Sequence, residues 1–369
     1  MSEERPYIIH VVDRYHHSIG GPFRSINHII DVCSVVSTHF VVCRSEERAD
    51  GDCGLKDCVD LFRFSWSLVS LLFRHRGSPN LIIHFHGGWH PSQIIGPIVG
   101  KLLGFKIIFS TRGICSRVAL NSSRKKQLVW PLHRLALKNS VIVCSSAAEL
   151  SDVQRAMSSG WLGWAVEPEK LTVIPNKSIR NYSVARLEKG LLSPSPCGFS
   201  IGFLGRIHQF KRIDLLVKAV NSLPFEANLF CVGPIEDVIY HRVLVDLDTL
   251  GRVKFFGCLA PSTLGNFWSS IDCLALVSRD ENFGNSIFEA LEIGVPCLVT
   301  SNLWWSKSSF SMFVADSTVD SIASQICTIK STKPVLIDSK RRINQRILKT
   351  EFSEIALREK WLSLYTDET

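Results

Sequence analysis

Three features of this chain predict an α/β architecture of two doubly wound domains. Short strand-like apolar runs alternate with amphipathic helical stretches along nearly its whole length, the pattern of parallel sheets covered by helices. The alternation stops once, in a polar stretch ending Ser193-Pro194-Ser195-Pro196-Cys197, and then resumes; such composition marks a linker. A length of 369 residues is enough for about two domains with full cores. The expected division is residues 1–180, a linker over 181–197, a second domain over 198–345, and a terminal helix within 346–369.

In the first domain, residues 7–12 read as a strand, followed by Gly20-Gly21-Pro22 and an amphipathic helix from 23 to about 36. Two glycines at a strand-to-helix turn let the backbone approach a phosphate, and proline suits the first helical position. Strands are expected at 40–43, 59–64, 81–85, 106–110, 141–145 and 171–175, and helices at 66–76, 91–103, 123–138 and 147–158. Residues 44–58 read as an irregular excursion.

Strand 81–85 runs into His84-Phe85-His86-Gly87-Gly88-Trp89-His90. Two residues apart on a strand, His84 and His86 share a face. With His90 they make a candidate zinc site, and hence a candidate hydrolase, although no Asp or Glu lies within 81–90 to serve as ligand or support. Hydrogen-bonded structural histidines are the plainer reading. Arg124-Lys125-Lys126, with Trp130 and Leu132 nearby, forms either a membrane- or acceptor-facing edge or a solvated basic turn.

Composition narrows the function classes. Hydrophobic content of 46% and charged content of 21% describe a globular chain. The net charge of +8 is uneven: residues 1–190 hold 24 Lys+Arg against 15 Asp+Glu, and the remainder 18 against 19. An anionic partner of the first half is therefore expected, a membrane surface or a lipid diphosphate; a merely basic solvated face is the alternative. No aromatic–basic RNA motif or recognition helix stands out, so no nucleic acid is expected. The run at 7–12 is too short and wrongly flanked for a signal peptide. Glycine and proline interrupt the apolar window at 94–109, which excludes it as a span. Twelve cysteines are scattered without a Cys-x-x-Cys pair, Cys53 and Cys58 lack a second pair, and many others sit in strand-like runs. Free thiols in a reducing cytosol are expected.

The second domain opens with a strand at 199–204, then Gly205-Arg206, Lys211-Arg212 and a helix over 213–223. The helix dipole disfavours cations at that entrance unless an anion is bound, so Arg206 and Lys211 suit a diphosphate. Strands at 228–232 (ending Gly233-Pro234) and 253–257 and a helix at 261–271 follow. A buried strand at 273–277 then leads into a loop holding Glu281, Phe283 and Gly284. Ile287, Ala290 and Leu291 keep helical spacing over 286–293, Gly294 stands at the C-terminal cap and Pro296 prevents continuation. Strands at 297–300 and 310–314, a helix at 318–329, a basic region at 340–342 and an amphipathic helix over 352–364 complete the chain. In an open α/β sheet the loop after 273–277 lies where ligands bind. Glu281 and Glu289 bracket it, and the free amides of Asn285, Ser286 and Ile287 form an anion site. Carboxylates for hydroxyls beside amides for phosphates fit a nucleotide sugar.

Glu281 through Glu289-Ala290, followed by Gly294-Val295-Pro296, resembles the E-x7-E signature of the retaining glycosyltransferases of family 4. Gly205-Arg206 with Lys211, and His86-Gly87-Gly88-Trp89, resemble further segments of that family. The resemblance implies the GT-B fold, two facing Rossmann-like domains with the donor in the cleft and the terminal helix crossing back to the first domain. It implies a nucleoside diphosphate sugar as donor, with Glu281 on the sugar hydroxyls and Glu289 on the ribose. Arg206, Lys211, Gly20, Gly21, Phe283, Gly284, Asn285 and Ser286 would line the rest of the donor site, and His86 would contact the donor sugar. Arg112, at a strand end like the family's Pro-Arg-Gly, and Trp89 would lie on the acceptor side. Ile174-Pro175-Asn176 departs from the family pattern, since Lys177 replaces a glycine and no Asp follows. No Asp-x-Asp motif is recognised in the sequence and the cations stand where a metal would, so neither metal nor cofactor is expected. The implied acceptor is a lipid-linked or growing surface polysaccharide such as lipopolysaccharide, reached at the cytoplasmic face of the inner membrane. A nucleotide-sugar epimerase or hydrolase on the same fold, or a non-catalytic sugar-nucleotide binder, are the other readings.

Overall fold

The computed structural model describes residues 5–13, 15, 21–34, 36–43, 61–78, 80–159, 167–176 and 198–366. The chain forms two compact units, one of residues 1–179 with 353–369 and one of residues 180–352. The second boundary thus falls after Phe352, later than the expected 345.

The first unit is built on six parallel strands: β1 (Tyr7–Val11), β2 (Thr38–Val42), β3 (Leu81–His86), β4 (Lys106–Ser110), β5 (Val141–Cys144) and β6 (Leu171–Val173). Their order is β2-β1-β3-β4-β5-β6. Its helices are α1 (Gly21–Cys33), α2 (Leu61–Arg74), α3 (Ser92–Leu102), α4 (Arg117–Asn121), α5 (Arg124–Lys138) and α6 (Ala147–Ser158). Alternation along the strands sends side chains to two faces. Ile9, Ile83, Phe85, Ile107 and Phe109 pack with α2 and α6. Ile8, Ile82, Ile108 and Val143 pack with Ile29, Val32 and Cys33 of α1 and with Leu357, Trp361 and Tyr365 near the C-terminus.

Residues 59–64, expected as a strand, are helical from Leu61 onward. Phe64, Leu68 and Leu72 stand four residues apart and all face the core, each contributing about 1.5–3 kcal/mol by burial. The strand reading took the start of this helical stripe for a separate apolar run. Residues 44–60, with Cys53 and Cys58, lie outside the described residues.

The second unit repeats the plan with β7 (Phe199–Leu204), β8 (Ala227–Val232), β9 (Val253–Phe255), β10 (Cys273–Leu276), β11 (Cys297–Thr300) and β12 (Phe313–Ala315), in the order β12-β11-β10-β7-β8-β9. Its helices are α7 (Ile213–Asn221), α8 (Val238–Leu247), α9 (Pro261–Ser270), α10 (Asn285–Ile293), α11 (Val319–Ser331) and α12 (Pro334–Glu351); α13 (Glu354–Thr366) belongs to the first unit. One sheet face packs with α7 and α11, the other with α9, α10 and Trp305.

Both sheets reverse strand order next to their first strand, between β1 and β3 and between β7 and β10. Loops at the carboxyl ends of such a reversal diverge and leave room for a ligand. In the second unit these are the loops after Leu204 and Leu276. In the first they lie at His10–Val11 and His86. No helix among the described residues is long and apolar enough to cross a membrane. The described cysteines are all free thiols.

Candidate functional site

In the second unit the two divergent loops are tied together. Arg279 N–H donates to the Phe210 carbonyl at 2.8 Å, and Lys211 Nζ lies 2.5 Å from Glu281 Oε2 with both side chains about one-sixth exposed. Arg206, two residues after β7 at the start of the same loop, makes an exposed contact at 2.9 Å with Glu236. Asn302 Nδ2 donates at 3.0 Å to the carbonyls of both Ser278 and Arg279, fixing where β10 ends. Gly233, at φ +141°, abuts Gly205; a Cβ there would meet the Gly205 carbonyl oxygen at 1.9 Å. The β7 and β8 ends therefore come together at glycine.

Gly284 starts α10 at φ +80°, with no side-chain cap on the helix. The indoles of Trp304 and Trp305 both donate to the Phe283 carbonyl. In a trans peptide the next N–H points the opposite way, so Gly284 N–H is turned from the indoles. The Ile287 amide, expected to be free, instead donates to the Gly284 carbonyl at 2.9 Å, so the positive helix end suited to a phosphate narrows to Gly284 and the residues directly after it in the first turn. Asn285 and Ser286 occupy this turn, and Glu289 lies buried one turn further. The Phe283 side chain, expected at a donor, is instead buried among Phe288, Trp304 and Trp305. An Asp-x-Asp spacing does occur at Asp246 and Asp248. There Asp248 accepts from the amides of Arg252 and Val253 at 2.8 and 3.0 Å, a structural use at the end of α8.

In the first unit the parallel register sets His10 beside His84, and His86 follows on the same face. All three rings are fully buried. His10 Nδ1 is 2.9 Å from His86 Nε2, and His10 Nε2 is 2.9 Å from His39 Nδ1 on β2. His84 sits between Tyr365 OH at 2.9 Å and Ser110 Oγ at 2.8 Å. His90 does not join them: its Nδ1 lies 2.7 Å from Ser92 Oγ and its ring meets Phe64 edge-on. The histidine triplet is thus His10, His84 and His86, not His84, His86 and His90. Burial, then neighbouring rings and the Arg112 guanidinium, hold all three well below the usual histidine pKa; burial lowers His39 to about 4.

Arg112 follows β4 in the left-handed region at φ +49°. Its Nη1 donates to Asn176 Oδ1 at 2.7 Å, and its Nη2 lies 3.4 Å from His86 Nδ1. The turn is held by buried Glu149, which accepts from Thr111 Oγ1, Gly113 N, Ser145 N and Ser145 Oγ at 2.6–2.8 Å. Trp89, expected on the acceptor side, packs against His133 and Trp130 with Lys126 over its ring. Gly20 lies outside the described residues, and Gly21 is the first residue of α1.

Sequence reasoning missed His10, His39, Glu149, Tyr365, Asn302 and the Trp304–Trp305 pair. Only Glu149 left a local signal, as the fourth residue of a Ser146-x-x-Glu149 capping pattern; the others depend on strand register or on long-range packing.

Residues 198–330 match the family model of Glycosyl transferases group 1. That stretch, about a third of the chain, is where the similarity to the family lies. It contains both loops of the Lys211–Glu281 pair. Two curated relatives are similar to the chain. One is the D-inositol 3-phosphate glycosyltransferase of Mycobacteroides abscessus, 31% identical over 32% of this chain and 27% of its own length. The other is the 2-deoxystreptamine glucosyltransferase of Streptomyces kanamyceticus, 26% identical over 60% of each. The matches therefore span less than two thirds of either relative. Among solved structures, sucrose-phosphate synthase from Thermosynechococcus elongatus superposes with a TM-score of 0.75 at 17% identity, covering 98% of both chains. Anabaena HepE with UDP and glucose gives 0.72 at 16%, covering 96% of this chain and 98% of that one. WaaG, a glycosyltransferase involved in lipopolysaccharide biosynthesis, gives 0.71 at 14%, covering 98% and 100%. At these identities the likeness shows the fold, which is of the GT-B class.

Proposed function

We propose that this protein is a retaining, metal-independent glycosyltransferase of the family 4 type. It moves a sugar from a nucleoside diphosphate sugar to a hydroxyl of a lipid-linked glycan at the cytoplasmic face of an anionic membrane. The observation that carries this reading is the Lys211–Glu281 pair at the β7/β10 reversal, beside the uncapped start of α10. Lys211, Arg206 and the α10 amides take the departing diphosphate, Glu281 the sugar hydroxyls and Glu289 the ribose. Charge placed in advance where it develops is commonly the largest catalytic term. The acceptor oxygen attacks from the face the diphosphate leaves, and its proton passes to the leaving phosphate oxygen. Two cations and a helix end supply the charge neutralisation that a metal supplies elsewhere.

The membrane part rests on one face of the first unit. Between Asp60 and Glu149 the chain has no Asp or Glu and 12 Lys or Arg. Helices α2, α3 and α5, neighbours on that face, present Trp66, Leu102 and Leu128, each more than three-quarters exposed. Apolar tips among uncompensated cations suit an anionic bilayer.

Thermal stabilisation by UDP, GDP and ADP, each with excess chelator, tests the donor site. One of them should stabilise the protein, and Arg206→Ala or Glu289→Gln should abolish the effect; no stabilisation by any overturns the reading. NMR of the product must show the donor's anomeric configuration. Sedimentation with anionic vesicles should be salt-sensitive and weakened by Leu128→Glu, and its absence removes the membrane part.

A further inference from the structure

Cys33, which ends α1, accepts at its carbonyl from the amides of Val36 and Ser37 at 3.0 and 3.1 Å and from Ser37 Oγ–H at 2.9 Å. A hydroxyl has one proton. His39 Nε2, 2.7 Å from the same oxygen, must therefore carry the hydrogen and donate it. His39 Nδ1 is then an acceptor and takes the proton of His10 Nε2–H. His10 Nδ1 in turn accepts from His86 Nε2–H, which leaves His86 Nδ1 as a lone pair facing Arg112 Nη2, a group that can only donate. The reverse order would set a His86 Nδ1–H against the guanidinium. The Arg112 end thus sets the direction, the Ser37 end agrees with it, and no ring needs a second proton.

A metal is the rival occupant, because ligand atoms of His10, His84 and His86 lie within 4.8 Å of one another. The donor chemistry disfavours it. His10 Nδ1 is taken by His86, both His84 nitrogens face hydroxyls, no carboxylate or thiolate belongs to the set, and the Arg112 cation adjoins it.

We infer that Ser37, His39 and His10 form a one-way hydrogen-bond relay that fixes His86 as its Nε2–H tautomer and so positions the Arg112 guanidinium for an anionic group of the acceptor. Both ring nitrogens of His86 are spent inside the protein, so its ring orients Arg112 rather than touching the donor sugar. Asn176 holds the other arm of the guanidinium, itself accepting from Ser25 Oγ at 2.9 Å. Ser37, His39, His10 and His86 are positioning residues. The relay stands on geometry alone; the acceptor role rests on the proposed function.

The test is long-range ¹⁵N–¹H NMR on the full chain labelled at histidine. His10, His39 and His86 should each appear as neutral Nε2–H tautomers, and an Nδ1–H form of any of them overturns the relay. His39→Leu removes the acceptor for His10 Nε2–H and should let an Nδ1–H form of His86 appear beside the Nε2–H form that Arg112 still favours, whereas His39→Asn, whose Oδ1 replaces Nδ1, should keep the wild-type pattern. An unchanged His86 in His39→Leu refutes the coupling; should that variant not fold, the wild-type and His39→Asn spectra still decide. Stoichiometric zinc in the purified protein refutes it as well. In turnover, His39→Leu should raise the acceptor KM about tenfold, the order expected when a charged group loses one hydrogen bond, with nucleotide stabilisation unchanged. An unchanged KM overturns the acceptor role. Absence of any transfer would count against the proposed function, while the spectra judge the relay separately.

Discussion

Lys211 and Arg206 bring cations to the end of the same strand in different electrostatic settings. Arg206 sits on an exposed pair, and such pairs contribute about 0–1 kcal/mol. Arg206→Ala should therefore leave stability nearly unchanged while lowering turnover about 10²–10³-fold. Lys211→Ala should lose activity similarly and also destabilise by about 1–3 kcal/mol, because it strands a mostly buried Glu281 carboxylate. Urea unfolding and initial rates on both variants separate the two cases, and a wild-type rate in Arg206→Ala would exclude that residue from the site. Glu149→Gln should lower stability by about 2–4 kcal/mol through its lost acceptors, with acceptor binding falling alongside as the Arg112 turn loosens. Calorimetry and acceptor KM check this, and a fully stable variant would contradict it. At this scale the sequence was informative where chemistry is local: Glu281, Gly284 and Glu289 occupy one loop and helix. His10 was not legible, since its partners are set by the pairing of β1 with β3 and by His39 on a third strand.

Helix α10 is held at its start by backbone geometry rather than by a cap. Gly284 is left-handed, and a Cβ there would stand 2.8 Å from Trp305 Nε1. Gly284→Ala should destabilise the second unit by about 1–2 kcal/mol from the backbone alone. It should also weaken nucleotide binding, because the helix end can no longer hold its orientation. Thermal shift with and without the nucleotide measures both, and unimpaired binding would show that the start of α10 does not contact phosphate. Elements with a clear apolar stripe, such as α7 and α10, were legible in the sequence. Helix α8 was not: only Leu244 is buried while Val238, Ile239 and Val243 are exposed, so no stripe marks the inner face. Helix α12 hides for a related reason, burying Asn344 alone among its residues and reading as a basic stretch.

The alternation that betrayed two parallel sheets did not carry the sheet orders, because which strand neighbours which is a matter of long-range pairing. Those orders place the reversals, and one reversal has filled the first unit with neutral histidines. An unfolded histidine gains its proton near pH 6.5, whereas His10, His84 and His86 stay neutral well below that, through burial first and then through neighbouring positive groups. Below pH 6.5 the unfolded chain therefore binds more protons than the native one, and stability present at neutral pH drains as pH falls toward the native values. The slope is up to about 1.4 kcal/mol per pH unit for each fully buried ring. In the second unit neither His208 nor His241 is buried. Between pH 6.5 and 5, above the range in which ordinary carboxylates titrate, the first unit should thus weaken selectively. Hydrogen exchange at pH 7.5 and 5.5, corrected for intrinsic rates, should show lost protection in β1 and β3 with β7 and β10 little changed. Equal loss in both sheets, or none, would mean that the histidine cluster takes up protons without opposing the fold.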